Sequence, residues 1–275
     1  MTVVTAASAA DLPSFKAAPP PPPPPAFNWS GFYAGVNLGG NFGGSSVQWS
    51  AVDPFQAGLG WALYSGGFVG TGPSAPSGFL GGAQFGYNYQ WGDFVVGVEA
   101  QFDGATGRTT INSLNAQNLG LVVLFGETAT QELNWFGALL GRVGFTPLDR
   151  LLVYGAGGFA FGNASTSFTV WSPPPSFPPF YASASASSNT GWAVGGGVEY
   201  AITNKITARV EYLHYDLGVT NASVYYAYPS GNLPLPALDA GSTLTATTRY
   251  NGNIVRGALN YRFDFGAQAP IVAKF

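Results

Sequence analysis

Asn253-Ile-Val-Arg-Gly-Ala-Leu-Asn-Tyr-Arg-Phe-Asp-Phe265 separates into two faces when every second residue is read. Val255, Gly257, Leu259, Tyr261, Phe263 and Phe265 make one face; Arg256, Ala258, Asn260, Arg262 and Asp264 make the other. A period of two is the signature of a strand, because successive Cβ atoms point to opposite sides of a sheet. A soluble sheet shows the same alternation. Here, however, the apolar face thickens into aromatic rings at one end, as a barrel wall does where it meets lipid headgroups.

Composition narrows the choice. Charged residues are 8% of the 275, against about 25% in an ordinary soluble domain, while Gly numbers 39 and aromatics reach 15%. A hydrophobic content of 46% and a net charge of −3 argue against disorder for the bulk of the chain. The longest apolar run, Leu119-Gly-Leu-Val-Val-Leu-Phe-Gly126, falls far short of the ~20 residues of a membrane helix. If the chain spans a membrane it must therefore be a closed barrel, since an open sheet edge in lipid strands its backbone groups. The sequence has no Cys, which removes disulfides, thiol catalysis, thiolate metal sites and lipidation of a Cys within it. Its acidic balance gives no reason to invoke nucleic acid.

Four regions follow along the chain. Residues 1–10 contain Ala7-Ser8-Ala9, a small-x-small pattern of the kind signal peptidase cuts after. A basic n-region and an apolar core are missing, so the expectation is a signal-peptide remnant whose start lies upstream of Met1; a plain Ala-rich terminus is the alternative. Residues 11–26, with seven prolines at Pro19–Pro25, read as a polyproline spacer in the periplasm. Residues 27–265 carry the strand pattern, and 266–275 form a tail. Strands are expected at Gly31–Phe42, Gly78–Gln90, Phe94–Gly104, Leu133–Thr146, Arg150–Asn163, Thr190–Ile202, Ile206–Leu217 and the closing stretch. Short turns (Trp91–Asp93, Pro147–Asp149, Thr203–Lys205) follow the even strands, and long connections follow the odd ones. Outer-membrane barrels sort their periplasmic turns and external loops in this way. The fold expected is all-β: a transmembrane eight-stranded antiparallel up-and-down β-barrel with four long external loops.

The segments Asn28-Trp-Ser-Gly-Phe-Tyr-Ala-Gly-Val-Asn-Leu-Gly39, Gly191-Trp-Ala-Val-Gly-Gly-Gly-Val-Glu-Tyr200, Val210-Glu-Tyr-Leu213 and Asn260-Tyr-Arg-Phe263 resemble the alphaproteobacterial small outer-membrane β-barrel proteins of the RopB type, relatives of the OmpA and OmpX barrels. The resemblance covers about Phe27–Phe265. It implies an abundant protein of the Gram-negative cell outer membrane, inserted by the barrel-assembly machinery among outer-membrane lipid and lipopolysaccharide. Some members are labelled porins, and the family offers no catalytic motif to carry over. The closing strand also resembles the C-terminal assembly signal of such proteins, through Arg256, Tyr261 and Phe263. Ala258 stands where that signal usually has Gly, and ten residues follow Phe265. The tail and the long first and fourth loops are further departures.

If the apolar face meets lipid, the other face points into the lumen. It then sets Glu99, Asp103, Glu199 and Glu211 beside Arg142, Arg209, Arg256 and Arg262. Arginine matches carboxylates bidentately, and an eight-stranded interior is just wide enough for side chains to fill. A packed plug of ion pairs is favoured over a narrow channel for small solutes, which stays open as the second reading. Catalysis is the distant third: His214, the only histidine, has Asp216 two residues away on the same expected face, but spacing picks out no Ser partner. No metal site or cofactor is indicated. The glycines, as in Gly195-Gly196-Gly197, read as close backbone packing or bends. The loops carry apolar and aromatic residues with few charges: Trp61, Leu63, Tyr64 and Phe68, then Leu119–Phe125, then Trp171, Phe177, Phe180 and Tyr181, then Tyr225, Tyr226 and Tyr228. These either prolong the hairpins or serve self-association, lipopolysaccharide or a surface partner. The function expected is a structural or surface-interaction role, with a porin-like channel as the alternative.

Overall fold

The structure, a computed structural model, describes residues 27–44, 46–52, 72–73, 76–118, 122–171, 181–226 and 242–263. The signal-like segment, the proline spacer, the aromatic residues of the first loop, and Phe265 with the tail lie outside the described residues.

The strands are β1 (Gly31–Gly43), β2 (Ser46–Val52), β3 (Gly72–Pro73), β4 (Gly78–Trp91), β5 (Phe94–Asn118), β6 (Val122–Leu148), β7 (Leu151–Trp171), β8 (Tyr181–Ala201), β9 (Ile206–Tyr226) and β10 (Ser242–Phe263). Eight of them, β1 and β4 to β10, pair antiparallel in sequence order. Pairing of β1 with β10, from Phe32↔Phe263 to Gly43↔Gly252, closes the ring. Closure leaves the ring no unpaired edge, which is the condition for a sheet in hydrocarbon. The tight turn between β4 and β5 uses Gly92 at φ 60°, where a Cβ would be strained.

Alternation of side chains makes the wall two-faced. Val36, Leu38, Val98, Val143, Val210 and Leu259 point outward and are all more than half exposed. Inward neighbours such as Leu140, Leu213 and Ile254 are buried. Exposed aromatics gather in two belts. Trp91, Phe94, Phe145, Tyr200, Tyr261 and Phe263 rim the end with the short turns, and Phe42, Phe79, Phe102, Phe159 and Trp192 rim the other. An apolar exterior between two aromatic rims is the surface a bilayer requires.

The ring strands outrun the expected ends. β5 and β6 stay paired to Asn118↔Val122, β7 and β8 to Trp171↔Tyr181, and β9 and β10 to Tyr226↔Ser242. Much of what reads as the second, third and fourth long loops is therefore hairpin projecting above the membrane. Register shifts at Gly104/Gly107, Leu133/Phe136, Phe161/Ala164 and Arg249/Asn251 mark the level where the two portions meet. A bulge resets the alternation there. Beyond it the outer face turns from apolar to hydroxyl and amide, with cross-strand bonds Thr128–Asn112, Thr110–Thr130, Thr247–Asn221 and Ser223–Thr245. The change of phase and of composition makes strand look like loop in the sequence. Pairing of β8 with β9 ends at Trp192↔Asp216. Above it β5–β8 form one sheet, and β9, β10, β2 and β3 form another. Their inner faces bury Leu133, Ala164, Phe168, Leu217, Ala246 and Tyr250, and Thr166 bonds Tyr250 across the gap.

Candidate functional site: the barrel lumen

Strand parity delivers to one interior level the residues that carry charge. Arg209 on β9 reaches across to Glu99 on β5 with both terminal nitrogens, at 2.5 and 3.1 Å. Arg142 on β6 donates to the same carboxylate at 3.2 Å, to Glu199 on β8 at 2.9 Å and to the Tyr33 hydroxyl at 2.6 Å. Its guanidinium lies 3.9 Å from the centroid of the Tyr154 ring. Arg256 on β10 donates to Glu211 at 2.8 Å through Nε, to Asp103 at 3.0 Å through Nη1, and to Gln101. Neutral groups take up much of the remaining capacity. Tyr33 donates to Glu99, Tyr154 to Glu211 and Thr207 to Glu199. Asn37 donates to Asp103 and Gln84, Gln84 to Asn260, and Asn260 to Glu199.

Every ring strand thus contributes at least one member. All seven charged members at this level are at most 3% exposed. Charged pairs so deep in a low-dielectric interior hold because hydrogen bonds match most of their lone pairs and protons. Arg142 Nε and Arg209 Nε are the exceptions, buried without a hydrogen-bond partner among the described residues. Arg262, the eighth residue of the expected set, lies nearer the short-turn end. It donates to the Ser30 carbonyl at 2.8 Å, and its guanidinium sits 4.5 Å from the centroid of the Phe27 ring.

Two further layers close the lumen. On the external side, Leu80, Leu133, Phe136, Leu213, Tyr215, Leu217 and Ile254 are buried together, with the Phe136 and Tyr215 rings 5.2 Å apart. At the opposite mouth the segment entering β1 folds inward. Trp29 is 1% exposed, packs edge-on against Phe27 at 4.8 Å, and donates its backbone N–H to Gln90 at 2.7 Å. Glycines make room for the plug. A Cβ on Gly197 would meet the Tyr154 hydroxyl, and one on Gly35 would overlap Asn260. Gly195 and Gly196 likewise abut neighbouring backbone carbonyls.

The plug members Tyr33, Tyr154 and Thr207 escape a search for charged chemistry, because a tyrosine inside a strand reads as apolar wall. Only their parity with Asn37, Ala156 and Arg209 could have found them. His214 and Asp216 do not form a site together. Gly218 at φ 90° bends the backbone so that Asp216 accepts its N–H and pairs with Arg249, while His214 bonds Asn253. Of the expected assembly residues, Tyr261 and Phe263 stand on the outer wall with rings 5.3 Å apart, and Arg256 lies inside the lumen. Among the described residues no three His, Asp or Glu side chains converge as metal ligands.

A closed antiparallel ring with a lipid-facing exterior and a side-chain-filled interior defines a small transmembrane β-barrel. The chain matches the family model of the outer membrane protein beta-barrel domain over residues 2–263, and it belongs to that family. It is an integral protein of the Gram-negative outer membrane with a structural or surface role. A 31 kDa outer-membrane immunogenic protein of Brucella melitensis is 32% identical over 264 residues, 94% of each chain. A 22 kDa outer membrane protein of Rhizobium leguminosarum bv. viciae is 32% identical over 139 residues, 50% of this chain and 53% of its own. These relatives are named as outer-membrane proteins, not as enzymes. Among solved structures, Neisserial surface protein A is similar at TM-score 0.33 and 13% identity, over 85% of this chain and 98% of that one.

Proposed function

We propose that this barrel is a sealed, non-conducting and non-catalytic anchor that carries its external hairpins to the cell surface for contact with a partner there. The observation that carries this reading is the continuous polar network from Tyr33 on β1 to Arg256 on β10, bounded by an apolar layer above and by Trp29 below. A solute would have to part bidentate ion pairs whose separated charges have no water to receive them. Above the membrane the double sheet turns Thr, Ser and Asn outward, with Trp171 and Tyr225 exposed toward its tips. Such a surface, poor in charge and rich in hydroxyls, suits contact with lipopolysaccharide, a second copy or another surface molecule. The outward pair Tyr261–Phe263 supports recognition by the barrel-assembly machinery.

Single-channel recording of the refolded protein in a planar bilayer tests the sealed lumen. A silent bilayer is expected, from material whose heat-modifiable gel migration shows a folded barrel. Steady openings that change when Arg142 or Glu211 is neutralised would replace the anchor with a channel.

A further inference from the structure

On the lipid-facing wall, where β8, β9 and β10 meet the external rim, polar groups converge outside the lumen. Asn253 accepts two hydrogen bonds through Oδ1, from the Tyr212 hydroxyl at 2.6 Å and from His214 Nδ1 at 3.0 Å. The Trp192 ring lies 5.6 Å from the His214 ring. Trp192 and Tyr212 are nearly half exposed, at 47% and 46%. Asp216 is paired across the ladder with Trp192 and holds Arg249 at 2.6 Å, with the Arg249 side chain 58% exposed.

Depth fixes what these groups face. Ile206 at the short-turn rim and His214 are separated by eight positions of β9, about 27 Å along a strand and about 21 Å in height at the usual tilt, close to the ~25 Å apolar band of such barrels. Outward residues between them are Ala208, Val210 and Tyr212. The cluster therefore stands at the headgroups of the outer leaflet, which in this membrane is glycolipid. The opposite rim carries Tyr200 on β8, Ile202 in the turn after it, Ile206 on β9, and Tyr261 and Phe263 on β10. An aromatic rim needs only amphipathic rings. Asn and His facing lipid are costly unless something polar meets them.

The chemistry present is that of a sugar site beside an anion site. Trp192 offers a flat face on which the C–H face of a sugar ring can stack. With Oδ1 accepting twice, the Asn253 amide retains N–H groups to donate to a sugar or phosphate oxygen. His214, donating through Nδ1, presents Nε2 as an acceptor for a hydroxyl. Arg249 supplies a cation at the same rim.

We propose that Trp192, Tyr212, His214 and Asn253, with Arg249 beside them, form a binding site on the outer wall for the phosphorylated sugar headgroup of an outer-leaflet glycolipid.

The test uses the full-length refolded protein in mixed micelles. Rough-type lipopolysaccharide and phosphatidylglycerol compete at equal concentration, and retained lipid is counted by native mass spectrometry. The wild type should retain the glycolipid preferentially. Asn253→Leu should reduce that retention about five-fold, the size of one net hydrogen bond, and Tyr212→Phe, which keeps the ring, about two-fold. Leu259→Val, on the same wall but opposite Ala208 and so below the cluster, should leave it unchanged. Equal displacement by phosphatidylglycerol in the wild type would overturn the proposal, as would undiminished retention in both Asn253→Leu and Trp192→Leu. Heat-modifiable migration of each variant confirms a folded barrel, and Tyr212→Phe preserves the readout should the leucine variants fold poorly. Lumen conductance is untouched by these changes, so the sealed-barrel reading stands or falls separately.

Discussion

Replacing Arg256 by Leu tests the central account of the lumen most directly. Arg256 is the cation for two carboxylates, Glu211 and Asp103, and it also binds Gln101. Once it is removed, Glu211 keeps the Tyr154 hydroxyl at 3.1 Å and Asp103 keeps the Asn37 amide at 2.8 Å. Neither neutral donor replaces a cation for an ion about 1% exposed or less. Breaking a buried pair from one side costs about 3–5 kcal/mol, because the other charge is stranded. Arg256→Leu should therefore destabilise the folded barrel by about that amount, in urea titrations in lipid vesicles read by gel migration and tryptophan fluorescence. Glu211→Leu combined with Arg256→Leu removes one of the stranded charges. The double change should be less harmful than the sum of the singles, by a coupling of about 1–3 kcal/mol. An Arg256→Leu cost below about 1 kcal/mol, or strict additivity, would refute the reasoning, since either would mean that water reaches these carboxylates.

Three other outcomes follow from local geometry. Gly157 and Gly158 are adjacent on β7 but face opposite ways: a Cβ on Gly157 has 3.7 Å to its nearest neighbours, while one on Gly158 collides with the Leu139 carbonyl. Gly157→Ala should change stability by less than about 0.5 kcal/mol and Gly158→Ala should cost about 1–3 kcal/mol, compared by their urea midpoints. Trp29→Ala empties the short-turn mouth and should cost about 3–5 kcal/mol, yet its bilayer should stay silent because the network above Trp29 remains; openings in this variant would relocate the seal. Arg249→Ala removes a half-exposed cation from Asp216, whose side chain is 6% exposed and is left with the Gly218 N–H. Its cost, read from the thermal midpoint, should exceed the ~1 kcal/mol of a surface ion pair and stay below the about 3–5 kcal/mol of a fully buried one.

Much of this molecule is legible in its sequence, because alternation along a strand is local. Val210 and Leu259 face out and Arg209 and Asn260 face in, as parity alone separates them. The short turns at Gly92 and Asn204 also fall where those residues mark them, while the third lies at Asp149–Arg150, just past Pro147, which β6 contains. The hairpin extensions are obscured because each begins at a bulge, where the alternation slips, and continues with Thr, Ser and Asn on a wet outer face. The inward turn of Phe27 and Trp29 is hidden because a segment beside a proline run carries no strand signal. His214 and Asp216 do share the outer face, opposite Val194 and Trp192, but they bond Asn253 and Arg249 and not one another, which same-strand spacing could not show.

By itself the sequence determined a closed, lipid-facing eight-stranded ring and the charges inside it, since both follow from a period of two and the need to satisfy every backbone group in a membrane. Only the tertiary structure decided partners. Arg256 meets Asp103 across 153 residues and Arg209 meets Glu99 across 110, distances at which parity says that two side chains share an interior but not that they touch. Closure and strand stagger set the level each side chain reaches. Those levels join three arginines and four carboxylates into a plug, leave Arg262 at the mouth, and gather Trp192, Tyr212, His214 and Asn253 on the outer rim.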